Sequence, residues 1–389
     1  MSSIHINSID LYATNGLINF DNLSSIEPLW GICIDKEAPY SPYSTCEWYK
    51  LWLTYFIKNN TARLLSFHDD NNVNIIVPLL YSKFKYRGIF ISKYEPIGNV
   101  YSPIRNMAIY SNCSFIDNID IVFEQIISNE NKWDIIDICE VSNESNWFSS
   151  ASEFFIRKGL DIREYDCYEN CYSDCITGTS EGYFNNRSKS FRLSIRKNYN
   201  RLSKAGDISF RVITGVADCS DYYDLYSSIY SKSWKRRESI GLDFFPDMLR
   251  YAEKNNWLRI GIVYLNECPI ATVFVVVAGK HAYFEKVAFD EEFRNFGAGS
   301  VCLYEMIKYV IDVDKVSVID FLRGADEYKK HWVAKCRKRK GMMIYNNTIR
   351  GKYLSFVDNK IAPFVNNNKF LSNIKRIVVS TYKNAGNVE

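Results

Sequence analysis

Apolar and polar positions recur with the period of a strand and then with the period of a helix, in an order that occurs twice along the chain. In the second half, residues 281–289 set Ala282, Phe284, Lys286 and Ala288 against Tyr283, Glu285, Val287 and Phe289, the alternation of a strand. After a glycine turn, Leu303, Met306, Ile307, Val310 and Ile311 fall at i, i+3, i+4, i+7 and i+8, the apolar stripe of an amphipathic helix. Residues 316–321 then read as a short buried strand, broken by Arg323-Gly324-Ala325. Upstream, the pattern predicts a strand over 208–214, helices over 222–234 and 245–254, and a meander of 258–265, 269–279 and 281–289. The first half follows the same order. A helix over 45–58 carries Trp48, Leu51, Trp52, Tyr55 and Phe56 on one face. Strands over 62–68, 73–82 and 86–93 follow, with Asp69-Asp70-Asn71-Asn72 as a turn. Then come a helix over 115–128, a strand over 133–139, a helix over 147–158 closed by Gly159, and a strand over 160–167. Residues 1–44 predict only one or two short strands around 30–34.

This repetition predicts an α/β (α+β) chain of two tandem lobes, each a mixed, mostly antiparallel sheet flanked by helices. The lobes are expected at 1–175 and 176–350, with a helical tail at 351–389; two unrelated α/β domains are the alternative. Across 353–382 the tail alternates apolar and basic residues at loosely helical spacing. It is expected to pack on the second lobe, with a membrane-surface helix as the alternative.

Composition narrows the class. The chain has 389 residues, 47% of them hydrophobic, ample for buried cores, and a net charge of only +3, so bulk electrostatics points to neither nucleic acid nor membrane. Eleven cysteines occur without a C-x-x-C pair, the pattern of buried thiols in a reducing cytoplasm rather than of a disulfide framework. Cys167, Cys171 and Cys175 are spaced too widely for the usual zinc pairs and have no nearby histidine, so no metal is expected. The first residues lack a basic start followed by an apolar core, and the longest apolar run, 270–278, is far short of the ~20 residues of a membrane-spanning helix. A soluble cytoplasmic protein is the expectation.

Candidate chemistry centres on Arg294-Asn295-Phe296-Gly297-Ala298-Gly299, between a strand and a helix. Free amides and the dipole at a helix N-terminus favour an anion such as a phosphate. Gly297 and Gly299 remove Cβ atoms from its approach, and Arg294 adds charge; an ordinary glycine turn is the plain alternative. No Gly-Lys-Ser/Thr follows and G-x-G-x-x-G is absent, which excludes a Walker loop and a dinucleotide fingerprint. R-x-x-G-x-G in this setting resembles the acyl-CoA-binding loop of GNAT acyltransferases. The following DFLRGADEYKKHW resembles the D-F-x-x-G-D-E-x-Y-K motif of the CelD-like branch, found in bacterial polysaccharide biosynthesis and related to the FemABX peptidyltransferases. Asp320, Gly324, Tyr328 and Lys329 match; Ala325 stands where the motif has its first acidic residue, with Asp326 and Glu327 after it.

The resemblance implies acetyl-CoA or another acyl-CoA as co-substrate and an N-acyltransferase reaction. The acceptor would be a small-molecule amine, an amino sugar or related metabolite of polysaccharide or envelope synthesis. Arg294, Asn295, Phe296, Gly297, Ala298 and Gly299 would hold the pyrophosphate. The strand edge bearing Val287 and Phe289 would pair with the pantetheine amides as another strand would. Direct attack on the thioester needs a base, and Glu285 is the first candidate, with an ion pair to Lys286 as its structural alternative; Asp326 is the second base and Tyr328 the acid. Asp320, Lys329 and Trp332 would build the substrate site, and Cys302 is read as packed.

Residues 182–206 carry Arg187, Lys189, Arg192, Arg196, Lys197, Arg201 and Lys204 and no acidic residue, with Phe184, Phe191, Ile195 and Leu202 spaced by 7, 4 and 7. This predicts one helix with a buried and a cationic face, the latter solvated or, through Arg192 and Arg196, holding phosphate. Lys335 to Lys340 form a second basic cluster, read as a solvated segment. The first lobe has no glycine loop between 95 and 115 and is expected to shape the acceptor site. A FemABX-like transferase using aminoacyl-tRNA, supported by the basic stretches, and a non-catalytic GNAT-fold binding protein are the alternatives.

Overall fold

The computed structural model describes residues 4–14, 17–35, 41–69, 74–102, 104–110, 114–128, 132–142, 145–215, 219–233 and 243–367. Its first half holds β1 (His5–Thr14), β2 (Leu17–Ile18), α1 (Glu27–Asp35), α2 (Cys46–Phe56), β3 (Thr61–His68), β4 (Asn74–Tyr86) and β5 (Ile89–Pro96). β6 (Ile109–Tyr110), α3 (Ser114–Asp117), α4 (Ile119–Ile127), β7 (Ile135–Ser142), α5 (Trp147–Arg157) and β8 (Asp161–Ser173) complete it. The second half holds α6 (Ser180–Asn185), α7 (Lys189–Ala205), β9 (Ile208–Ile213), α8 (Cys219–Ser231), α9 (Phe244–Lys254), β10 (Leu258–Leu265) and β11 (Cys268–Ala278). After these come β12 (His281–Phe289), α10 (Ala298–Asp312), β13 (Val318–Arg323), α11 (Glu327–Trp332), β14 (Lys335–Tyr345), α12 (Ile349–Phe356) and α13 (Ala362–Asn367).

Local chemistry accounts for the best-predicted of these. Thr45 caps α2 by accepting from Trp48 N at 3.0 Å, and the helix buries Trp48, Trp52, Leu53 and Phe56. α10 buries Leu303, Met306, Ile307, Val310 and Ile311, the predicted stripe, and Val301 beside it. β11 is buried on both faces from Ile270 onward, which explains its unbroken apolar run.

The strands join in the order β2-β1-β3-β4-β5-β7-β14-β8-β13-β12-β11-β10-β9, with β6 beside β4. Neighbours are antiparallel except β5 with β7 and β12 with β13. Each parallel contact is short: Lys93↔Ile135 and Tyr94↔Ile136 in the first lobe, His281↔Val318 to Tyr283↔Asp320 in the second. The strand after each parallel pair crosses to the other lobe, β8 onto β13 and β14 onto β7, and the two exchanged strands pair with each other. One sheet therefore runs through both lobes. One buried cluster joins Trp48, Trp52 and Phe56 of the first lobe to Phe244, Met248 and Tyr283 of the second.

Several expectations need correction. Residues 30–34 lie in helix α1, and the early strands are β1 and β2, where polar residues alternate less cleanly. The single helix over 182–206 is two, α6 and α7, because Ser188 caps a new start by accepting from Phe191 N at 3.3 Å. The basic run from Lys335 is strand β14, whose charges meet carboxylates across the sheet: Lys338 reaches Asp166 of the adjacent β8 at 3.5 Å, and Arg337 reaches past β8 to Asp320 of β13 at 3.3 Å. Strand exchange sets Cys171 opposite Cys336, 165 residues away, and the two form a disulfide, so the cysteines are not all thiols. The tail packs on the first lobe instead of the second. Buried Asp358 accepts from Arg87 Nε at 2.8 Å and from the hydroxyls of Tyr86 and Tyr345. The remaining predicted tail, 368–382, and the turn residues Asp70, Asn71 and Asn72 lie outside the described residues. Among the described residues no helix is long and apolar enough to cross a membrane, and no three His, Cys, Asp or Glu side chains are grouped to hold a metal.

Candidate active site

β12 and β13 pair only as far as Tyr283 and Asp320, and the parting that follows has a local cause on each strand. On β12, Lys286 faces Phe274 while Phe284 faces Val275, so Glu285 is the extra residue of a β-bulge. On β13, Leu322 has φ 57° and Gly324 φ 92°, which turn the chain toward β8, where Arg323 faces Asn170. The gap is a pocket of about 200 Å³. Phe284, Glu285 and Val287 form one wall, Phe321, Leu322, Arg323, Asp326, Tyr328 and Lys329 the other, and Val100 reaches in from the first lobe.

Glu285 is partly exposed to this pocket and otherwise enclosed by protein. Burial pushes its carboxyl up to about 7, against the opposing effects of a hydrogen bond from Tyr43 and the Lys286 charge, while Asp320 adds to the rise. The carboxylate accepts from the Tyr43 hydroxyl, which belongs to the first lobe. Tyr43 is buried, its ring edge-on to Trp48 at 5.1 Å and to Tyr283 at 5.4 Å. Its segment is fixed by Trp30 Nε1 donating to Ser44 O at 2.7 Å and Asn106 Nδ2 to Ser44 Oγ at 2.8 Å. Burial and the adjacent Glu285 raise the phenol pKa well above its ordinary value, so Tyr43 remains a donor. Nothing in the sequence marks this residue, because its partner lies 242 positions away and the contact depends on how the lobes dock.

The opposite wall is held by Lys329. Its buried ammonium donates to the carbonyls of Phe321 (3.0 Å), Arg323 (2.6 Å) and Gly324 (3.2 Å), fixing the turn that opens the pocket. Burial lowers the Lys329 pKa. Asp326 is exposed at the start of α11, with its carboxylate 3.8 Å from Lys329 Nζ. Tyr328 lines the pocket, and desolvation of its hydroxyl, with the Asp326 charge, pushes its pKa up to about 12. Asp320 and Trp332 stand behind the pocket. Asp320 is buried, accepting from Asn170 Nδ2 at 2.6 Å and Leu322 N at 2.6 Å. Trp332 packs against Phe191 at 4.7 Å, and its carbonyl accepts from the Tyr183 hydroxyl at 2.7 Å. Cys302 is buried in α10, and burial pushes its thiol pKa up.

The glycine loop sits at the start of α10. Gly297 has φ 72°, and a Cβ there would come within 2.3 Å of the Asn198 side chain; a Cβ on Gly299 would come within 2.8 Å of the Phe289 ring. Arg201 Nη1 donates to Asn295 O at 2.9 Å, and Arg294 is exposed, 3.4 Å from Glu291. First-turn amides of a helix have no acceptor one turn back, so Ala298 and Gly299 present donors at this point. Beyond Tyr283, the edge of β12 away from β11 has no strand partner among the described residues. The two glycines are required by packing, since Asn198 and Phe289 fill the space their Cβ atoms would take; the first-turn amides and the free strand edge are the groups that would hold an acyl-CoA's pyrophosphate and pantetheine. Arg192 and Arg196 are not part of this arrangement. They line a separate groove of about 690 Å³ between α6, α7 and α10, because α7 packs on α10 with these residues turned to solvent.

Residues 189–330 match the family model described as an acetyltransferase (GNAT) domain. No curated protein matches the chain. Among solved structures, the chain is similar to that of FemX, with a TM-score of 0.60 at 13% identity over 89% of this chain and 100% of that one. It is also similar to a conserved protein of unknown function from Bacteroides thetaiotaomicron, with a TM-score of 0.51 at 11% identity over 83% of this chain and 97% of that one. These likenesses concern the fold alone: a mixed, mostly antiparallel sheet flanked by helices, with the GNAT domain match confined to its second half. The matched stretch includes Glu285, the loop at 294–299 and the turn held by Lys329.

Proposed function

We propose that this chain is an acyl-CoA-dependent N-acyltransferase that transfers an acyl group, acetyl in the simplest case, to a small-molecule amine. The position of Glu285 carries the proposal: a carboxylate with a pKa near neutrality, re-aimed by a bulge into a pocket between two parting strands. In this scheme the loop at 294–299 takes the pyrophosphate and the free edge at Val287 and Phe289 aligns the pantetheine. Glu285 accepts a proton from the acceptor ammonium, directly or through one water. The amine then attacks the thioester carbonyl, a C–N bond forms and the C–S bond breaks; Tyr328 protonates the departing thiolate, and its phenolate recovers a proton from the nitrogen of the new amide. Asp326, at the pocket mouth, is the second candidate base. The motif resemblance at Asp320, Gly324, Tyr328 and Lys329 supports an amino sugar or related metabolite of polysaccharide or envelope synthesis as acceptor.

A second reading, transfer from aminoacyl-tRNA, is favoured by the fold likeness that spans all of FemX and by the cationic, exposed face of α7. Calorimetric titration of acetyl-CoA into the wild type and Arg294→Glu separates the two. Micromolar binding, about −8 kcal/mol, that weakens at least about tenfold when the exposed loop charge is reversed supports the CoA reading. It leads directly to an amine screen by thiol release. Failure of acetyl-CoA and longer acyl-CoAs to bind, with binding of charged tRNA, refutes it in favour of the second.

A further inference from the structure

The C-terminal helical segment buries one face and exposes apolar side chains on the opposite one. Its inner face buries Gly351, Leu354, Ser355, Asp358 and Ala362 against the first lobe. Half a turn away, Ile349 (90% exposed), Tyr353 (44%), Phe356 (58%) and Phe364 (65%) point outward at i, i+4, i+7 and i+15, with Lys360 in the same row. Single exposed apolar side chains are ordinary, but a row of four on one helix face marks a surface that meets an apolar partner.

The surrounding charge decides which partner. Arg350, Lys352 and Lys360 flank the row and are exposed. The hairpin of β4 and β5, which accepts the Tyr353 hydroxyl at Arg87 O (3.2 Å), exposes Lys83, Lys85 and Phe90. In sequence, the chain beyond 367 adds Lys369, Lys375, Arg376 and Lys383 against a single acidic residue, Glu389. Asp358, the acidic residue within the helical segment, is fully buried under Arg87 and the two tyrosines and does not offset the surface charge. Aromatic side chains in a row between lysines and arginines is the chemistry of a helix lying at the boundary of an anionic bilayer. The rings enter the acyl boundary while the long cationic side chains reach the headgroups.

We infer that the face formed by Ile349, Tyr353, Phe356 and Phe364 docks this protein on an anionic lipid surface, independently of the chemistry at Glu285. The test is flotation of the full chain with vesicles of phosphatidylcholine alone and with about one third phosphatidylglycerol. The protein should float with the anionic vesicles, and added salt should weaken this. The double variant Phe356→Ser/Phe364→Ser should lower the apparent affinity at least about tenfold, and Lys352→Glu/Lys360→Glu should do the same with the apolar row intact. All four side chains are exposed, so the variants leave the buried face unchanged. Absence of flotation, or equal flotation with both vesicle types, overturns the inference. So does light scattering that shows a wild-type dimer lost in Phe356→Ser/Phe364→Ser with no vesicle binding, which would assign the face to a second copy.

Discussion

Glu285→Gln should stabilise this protein at alkaline pH while disabling it. The carboxyl titrates near 4.5 when unfolded and at about 7 in the fold, chiefly because burial disfavours its charged form. A difference of about 2.5 in pKa corresponds to about 3 kcal/mol by which ionisation opposes folding. The sign follows from the raised folded value. The contribution of the neutral acid is fully present below about pH 4.5 and is lost as the pH rises from there through about 7. Glutamine resembles the neutral acid in shape and still accepts from Tyr43. Urea unfolding followed by tryptophan fluorescence at several pH values reads the difference. Variant and wild type should agree near pH 4.5 and diverge between there and pH 7, with the variant more stable by about 3 kcal/mol above pH 8. Acyl transfer, measured by thiol release, should fall about 10²- to 10⁴-fold in the variant. A stability difference that does not change with pH would refute the placement of Glu285 as a buried, near-neutral acid.

Tyr43→Phe keeps the ring between Trp48 and Tyr283 but removes the donor to Glu285, so the Glu285 midpoint should rise by about one to two pH units. Carbon-13 NMR of the carboxyl, assigned by its absence in Glu285→Gln, measures this without any substrate, and an unchanged midpoint would make Tyr43 a packing residue only. Lys329→Met leaves the carbonyls of Phe321, Arg323 and Gly324 without their shared donor and should cost about 2–4 kcal/mol in urea unfolding. A loss below about 0.5 kcal/mol would show that the turn holds itself. Cys336→Ser removes the link between the two exchanged strands and should destabilise the oxidised protein by about 2–4 kcal/mol, while excess reductant brings the wild type to the same level. Equal stability of oxidised wild type and variant would argue that the thiols are unpaired in solution.

Period-two and period-3.6 patterning along the chain suffices to read most strands and helices here, because burial on one face writes that period into the sequence. It reads the alternation of 281–289, the α10 stripe and the repeated order of elements, and it places Glu285 on the strand before the glycine turn and Tyr328 just past the strand that follows. It fails where the partner surface comes from far along the chain. The run at 335–340 is too charged to read as a strand, since Arg337 meets Asp320 and Asn170 only after β14 has crossed to the first lobe. Cys171 and Cys336 become partners, and the tail comes to rest on the first lobe around Asp358, for the same reason. The bulge at Glu285 is a register difference between β11 and β12, and register is a property of the pair and not of either strand. Tyr43 is the sharpest case: a tyrosine in a short 3₁₀ turn, indistinguishable in sequence from 27 others, that tertiary docking sets against the Glu285 carboxylate in the pocket of the other lobe. Local sequence determined the elements and the residue types available for chemistry. Which of them meet was decided by strand exchange and lobe docking, because contacts between residues hundreds of positions apart leave no period to read.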